Sequence, residues 1–241
     1  MKRSIFLSIL FVMSISISNA QWKKIKGNGK MTTETRTTSS YDGIKCAGSF
    51  DYILVSGTEG QLTLEGESNL LEYIVTEVKD GKLHVRTKKG KNLSTSWNKT
   101  IKVTIPVEDI SQVSLSGSGD LWNEGMTLSS NNLDVSLSGS GDVVLDVNTQ
   151  SVSGKVSGSG DLTLKGSTNS LRASVAGSGD FHGFNLKSVN TDVSVNGSGD
   201  AAVHCSGDLK ARVSGSGDIE YRGNPKTKDT KVSGSGSIDN D

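Results

Sequence analysis

From Gln112 onward, apolar and polar residues alternate on both sides of a recurring glycine turn. The tetrapeptide Gly-Ser-Gly-Asp begins at Gly117, Gly139, Gly158, Gly177, Gly197 and Gly215, and Gly234 opens a further copy in which Ser237 replaces the Asp. Two residues before the first Gly stand Leu115, Leu137, Val156, Val175, Val195, Val213 and Val232. Four before it stand Val113, Val135, Gly154, Ala173, Val193, Ala211 and Thr230, mostly small. Immediately after the Asp come Leu121, Val143, Leu162, Phe181, Ala201 and Ile219, with Ile238 after the variant copy. Leu145, Leu164, Val203 and Tyr221 continue the phase, while Ser, Lys, Arg, Asp and Thr fill the positions between. A period of two on each side of a turn predicts strands with one buried and one solvated face.

The spacings between copies are 22, 19, 19, 20, 18 and 19 residues. Two strands of about five residues make only one side of a core, so a unit of this length must bury its apolar face against copies of itself. The prediction is an all-β parallel β-helix, a solenoid with coils of about 19–20 residues marked by Gly-Ser-Gly-Asp turns. With coils about 4.8 Å apart, seven of them make a column of roughly 33 Å, aliphatic ladders inside and Ser/Lys ladders outside. At the turn, Gly supplies positive φ, and Ser and Asp can bond nearby backbone N–H groups, so the Ser has a structural reason and need not be a nucleophile.

The first half is strand-rich but less regular. Ile44 to Val55, Gln61 to Leu64, Lys82 to Thr87 and Thr100 to Ile105 alternate, with turns at Gly57 to Gly60 and Asp80-Gly81. Asn69 is placed to N-cap a short helical turn. Gly48-Ser49-Phe50-Asp51 reads as a degenerate relative of the later turns, and Lys88 to Asn98, with Trp97, as an exposed hairpin loop. Residues 21–43 are polar, a flexible lead or a first edge strand. The expected organisation is therefore a leader at 1–20, a polar segment at 21–43, and one β-helix domain at 44–241, with larger cap-like coils at 44–110 and regular repeats at 111–241. Near the far end, Pro225, Lys226, Lys228 and Lys231 interrupt the pattern, either as Pro and Lys that discourage addition to an open strand edge or as an ordinary surface loop.

The leader reading rests on Lys2 and Arg3 before the apolar run Ile5 to Ile17, with small residues at the −3 and −1 positions of a cut after Ala20. Thirteen residues of helix span about 20 Å, short of the roughly 30 Å hydrocarbon layer, so the segment is a signal peptide and not an anchor. The mature chain is expected in the periplasm, in the cell envelope or secreted, without a transmembrane span. Export permits a disulfide between Cys46 and Cys205, yet both fall on apolar phases, where buried free thiols fill space.

Composition narrows the function. The 241 residues include 29 Gly and 38 Ser, and aromatics are 5%. Charges balance at 26 of each sign, although residues 21–105 carry a net +5 and 106–241 a net −7. The repeats are net acidic and no basic stripe interleaves with aromatics, which argues against nucleic acid. The row Asp120, Asp142, Asp161, Asp180, Asp200 and Asp218 stacks if the register holds. At 4.8 Å, neighbouring charges repel by about 3.5 kcal/mol at an effective dielectric of 20, so the row must be solvated, bonded to backbone donors, offset or neutralised by cations. One carboxylate per coil is thin for calcium, which takes 6–8 oxygens, and the period is about twice that of the Gly/Asp β-rolls that bind it.

No catalytic, cofactor-binding or metal-ligating residue is assigned, and no cofactor is expected. His84, His182 and His204 are far apart in sequence, with no HExxH, Cys-x-x-Cys or G-x-S-x-G pattern around them. Stacking can bring His182 and His204 near one another, two and four residues beyond Asp180 and Asp200, where both read as surface histidines. Trp22, Trp97 and Trp122 are the only tryptophans available as sugar platforms.

The Gly-Ser-Gly-Asp series, with the upstream stretch Asn69-Leu70-Leu71, Ile74, Thr76, Val78, Gly81 and Leu83, resembles the head GIN domain family of putative autotransporter-adhesin heads. The resemblance covers about residues 40–241. It implies a right-handed parallel β-helix in bacterial envelope or secreted proteins, and it supplies no catalytic residues. The expected function is a non-catalytic, adhesin-like exported binding module, with a glycan or surface protein as partner. The alternatives are a structural solenoid that self-assembles as a homo-oligomer, and a polysaccharide lyase or glycosidase by fold analogy alone.

Overall fold

The computed structural model describes residues 23–241. The predicted signal peptide and Trp22 lie outside these residues. Within them the chain is a β-solenoid of about seven turns with coils about 19 residues apart. One helix, Ser68–Leu71, interrupts the described strands.

The glycine corners align along one edge. Gly48 pairs with Gly117, then Gly139, Gly158, Gly177, Gly197, Gly215 and Gly234 follow one another, all in parallel register. The degenerate turn at Gly48 is thus the first rung of this ladder. The aligned glycines have φ between 125° and 141°, a region side chains rarely enter. Close stacking adds a second requirement: a Cβ on Gly139 would overlap the Gly117 carbonyl oxygen, and one on Gly141 the Gly119 carbonyl oxygen. In each coil the first-glycine carbonyl accepts two N–H groups from the next, as Gly117 does from Ser140 at 2.9 Å and Gly141 at 3.2 Å.

Inside, like stacks on like. Leu115, Leu137, Val156, Val175, Val195 and Val213 form one buried ladder, and Leu121, Val143, Leu162, Phe181, Ala201 and Ile219 another. Phe181 is accommodated where the facing position is smallest: a Cβ on Gly154 would touch its ring at 2.8 Å. Val232, in the last aligned strand, is 43% exposed because no described coil covers it.

Antiparallel strands enter in the first half. Met31–Thr37 pairs with Gln61–Glu67, Gln61–Glu67 with Lys102–Val107, and Ile74–Lys79 with Lys82–Thr87. Two local expectations change. Asn69 is not a cap: the cap position is Glu67, and the Asn69 side chain instead accepts the Asn28 N–H and donates to the Lys26 carbonyl. The segment 88–98 is not simply a loop, because Lys91–Ser94 pairs in parallel with Lys23–Lys26. A backbone partner far away in sequence converts it to strand, although Trp97 remains 89% exposed. The buried Glu67 carboxylate fastens this region, accepting from Gly29 N–H at 2.5 Å and from Ser96 N–H at 2.8 Å and Oγ at 2.5 Å. Burial pushes its pKa up, but these donors and Lys99 outweigh burial and hold it below the ordinary value.

Cys46 and Cys205 are both buried free thiols, in agreement with the space-filling reading. Cys46 stacks between Val85 and Leu115, and Cys205 Sγ donates to the Val189 carbonyl at 3.3 Å.

Candidate functional site

The stacked Asp row finds backbone donors. Asp142 N–H donates to Asp120 Oδ1 at 3.0 Å, Asp161 N–H to Asp142 Oδ1 at 3.0 Å, and Asp180 N–H to Asp161 Oδ1 at 2.9 Å. Asp200 N–H then donates to Asp180 Oδ1 and Asp218 N–H to Asp200 Oδ1, both at 2.7 Å. Each carboxylate therefore receives an amide from the following coil, and one oxygen per Asp remains outside the ladder. Such charge-assisted bonds oppose the repulsion between neighbours without a cation.

Beside this ladder runs a second row, two residues beyond each Asp: Trp122, Val144, Thr163, His182, Ala202 and Glu220 in successive coils. Regularity breaks next to His182. The register offset is 19 residues at the Leu162 to Phe181 and Thr163 to His182 pairs, but 20 at Gly166 to Leu186, so one extra residue is accommodated between them. Phe184 and Asn185 form the resulting turn. The Arg222 guanidinium lies over the Phe184 ring, 3.9 Å from its centroid.

Where the turn leaves the stack, a cleft of about 370 Å³ opens. Phe181, Phe184, Asn185 and His182 wall it, Ala201 and Ala202 leave it room, and Asp180, Asp200, Asp218 and Glu220 supply carboxylates. An aromatic wall, an amide and several acceptors in one concavity suit a polar ligand with an apolar face.

Sequence reasoning placed the Asp row and noticed His182, but assigned no site here. The signal was the 20-residue spacing from Gly177 to Gly197, which the register places as one extra residue between His182 and Leu186. His182 and His204 sit in adjacent coils yet are not paired, since His182 opposes Ala202 and His204 opposes Arg222. His204 Nδ1 is buried without a hydrogen-bond partner, and burial, reinforced by Lys187, pushes its pKa down. Trp122 stacks between Ile53 and Val144, remote from the cleft in the ladder.

Comparisons with known proteins agree with this architecture. A family model described as "Putative auto-transporter adhesin, head GIN domain" matches residues 40–225. A solved structure of a putative adhesin from Bacteroides fragilis superposes with a TM-score of 0.81 at 25% identity, covering 90% of this chain and 100% of that one. A putative lipid binding protein from Parabacteroides distasonis gives a TM-score of 0.75 at 25% identity, covering 91% and 100%. A putative adhesin from the same species gives 0.69 at 25% identity, covering 90% and 100%. No curated protein matches the chain.

Proposed function

Since the chain belongs to the family of putative auto-transporter adhesins with the head GIN domain, we propose that it is a non-catalytic, exported binding module of the cell envelope that holds a surface glycan in the cleft of the coil following Phe181. The observation that carries this reading is the cleft itself, the place where a ladder of repeated positions yields a cavity with an aromatic ring, an amide and carboxylates together. A sugar ring offers an apolar face to an aromatic wall and hydroxyl donors to carboxylate acceptors. The strands flanking the cleft are held by coil-to-coil pairing, which limits the ordering cost of binding to the Phe184-Asn185 turn. Export is supported by the residues at the start of the sequence and by the family. A helix long and apolar enough to cross a membrane is absent among the described residues.

The test is a glycan array probed with the purified chain and with Phe184→Ala. Retention of a saccharide class by the native chain, weakened at least tenfold in the variant, is the expected result. Analysis of the same glycans for new reducing or unsaturated ends separates binding from cleavage: release of such products makes the protein an enzyme and overturns the reading.

A further inference from the structure

Asp161, Asp180 and His182 are the group of three metal-ligating side chains that comes together among the described residues, with one donor atom of each within 4.8 Å of the others. His182 Nε2 stands 3.8 Å from Asp161 Oδ2. That distance is too long for a hydrogen bond. Two donors bound to one tetrahedral zinc at 2.0–2.2 Å stand roughly 3.4 Å apart, so a movement below an ångström brings both to ligation distance.

One observation sets this point apart from the rest of the Asp row, and two more suit it to an ion. In the other regular coils the position of His182 holds Trp122, Val144, Thr163, Ala202 or Glu220, so imidazole joins the carboxylates at one level only. Both Asp side chains are already oriented, because Asp161 Oδ1 accepts from Asp180 N–H and Asp180 Oδ1 accepts from Asp200 N–H. Asp180 and His182 also line the cleft of about 370 Å³, which has room for the water molecules that complete a coordination shell. A preorganised pair of carboxylate oxygens, a half-exposed imidazole and adjoining solvent space are the parts of an open, three-ligand metal site.

We propose that this corner of the cleft binds a divalent transition-metal ion, zinc by preference, through one carboxylate oxygen each from Asp161 and Asp180 and the imidazole of His182, with water filling the shell. Imidazole selects zinc-like ions over magnesium and calcium. Calcium takes 6–8 oxygens, and the two carboxylates each have one oxygen engaged by the backbone. The ion also offsets the repulsion between the two stacked charges. This inference does not rest on the glycan reading, because the metal is titrated alone.

Isothermal titration of the purified, metal-stripped chain with zinc chloride tests it, with calcium and magnesium chloride as comparators. The expected result is one zinc per chain, bound more tightly than calcium or magnesium. His182→Ala and Asp161→Asn should each weaken zinc at least tenfold, whereas His84→Ala, on a distant strand, should leave it unchanged. Asp161→Asn retains an oxygen for the Asp180 N–H, and His182 is half exposed, so equal melting curves of the metal-free variants establish that the fold is kept. Absence of zinc binding overturns the proposal, as does binding that neither variant changes or calcium binding more tightly than zinc.

Discussion

Each residue of the corner tetrapeptide has its own physical reason, and substitutions separate them. Gly158 combines a φ of 136° with backbone from the coil below where its Cβ would lie, so Gly158→Ala should cost at least about 4 kcal/mol in urea denaturation, or prevent folding. Asp142 acts as an acceptor for the Asp161 N–H. Asp142→Asn keeps an oxygen there and relieves like-charge repulsion, so it should change stability by less than about 0.5 kcal/mol, while Asp142→Ala should lose about 1–2 kcal/mol. An Asn loss as large as the Ala loss would show that the charge, not the acceptor, matters. The glycines and the row of carboxylates were legible in the sequence because every coil repeats them. The amide partners of those carboxylates were not, since a hydrogen bond from the next coil depends on a register that only the stacked backbone fixes.

Strand and turn order depend on how well adjacent coils match in volume. Phe181 fills space that small residues leave, notably at Gly154, and is fully buried. Phe181→Ala should therefore destabilise by about 3–5 kcal/mol, measured by chemical denaturation, with the cost falling on the strands that wall the cleft. The regular strands were readable from alternation alone. The pairing of Lys91–Ser94 with Lys23–Lys26 was not, because both are short, lysine-bearing segments without an apolar stripe, and the partner lies about seventy residues away in sequence. Glu67 supplies the local anchor that alternation cannot reveal. Its pKa is lowered in the folded chain, so its contribution is present above the ordinary value of about 4.5 and is lost as pH falls through the lower folded value. Hydrogen exchange at Lys23–Lys26 and Lys91–Ser94 should accelerate in that acid window, and Glu67→Gln should flatten the change. Exchange independent of pH after correction for its intrinsic rate would remove Glu67 from this role.

For the whole molecule, the ladder of carboxylates has a direction. Every Asp from Asp120 to Asp200 accepts an amide from the following coil, and Asp218 accepts from Ser237 N–H at 2.6 Å. Ser237 receives that bond but presents no carboxylate onward, and its hydroxyl turns to Asp239 Oδ2 at 2.5 Å. In the language of polymerisation, Ser237 is a monomer with one of its two coupling groups removed: it joins the column by the same link as its predecessors and keeps the Gly234 carbonyl for a following strand, but offers no carboxylate to it. Ser237→Asp restores that acceptor and should shift sedimentation toward association relative to the native chain; identical sedimentation of the two would show that the carboxylate link does not govern addition.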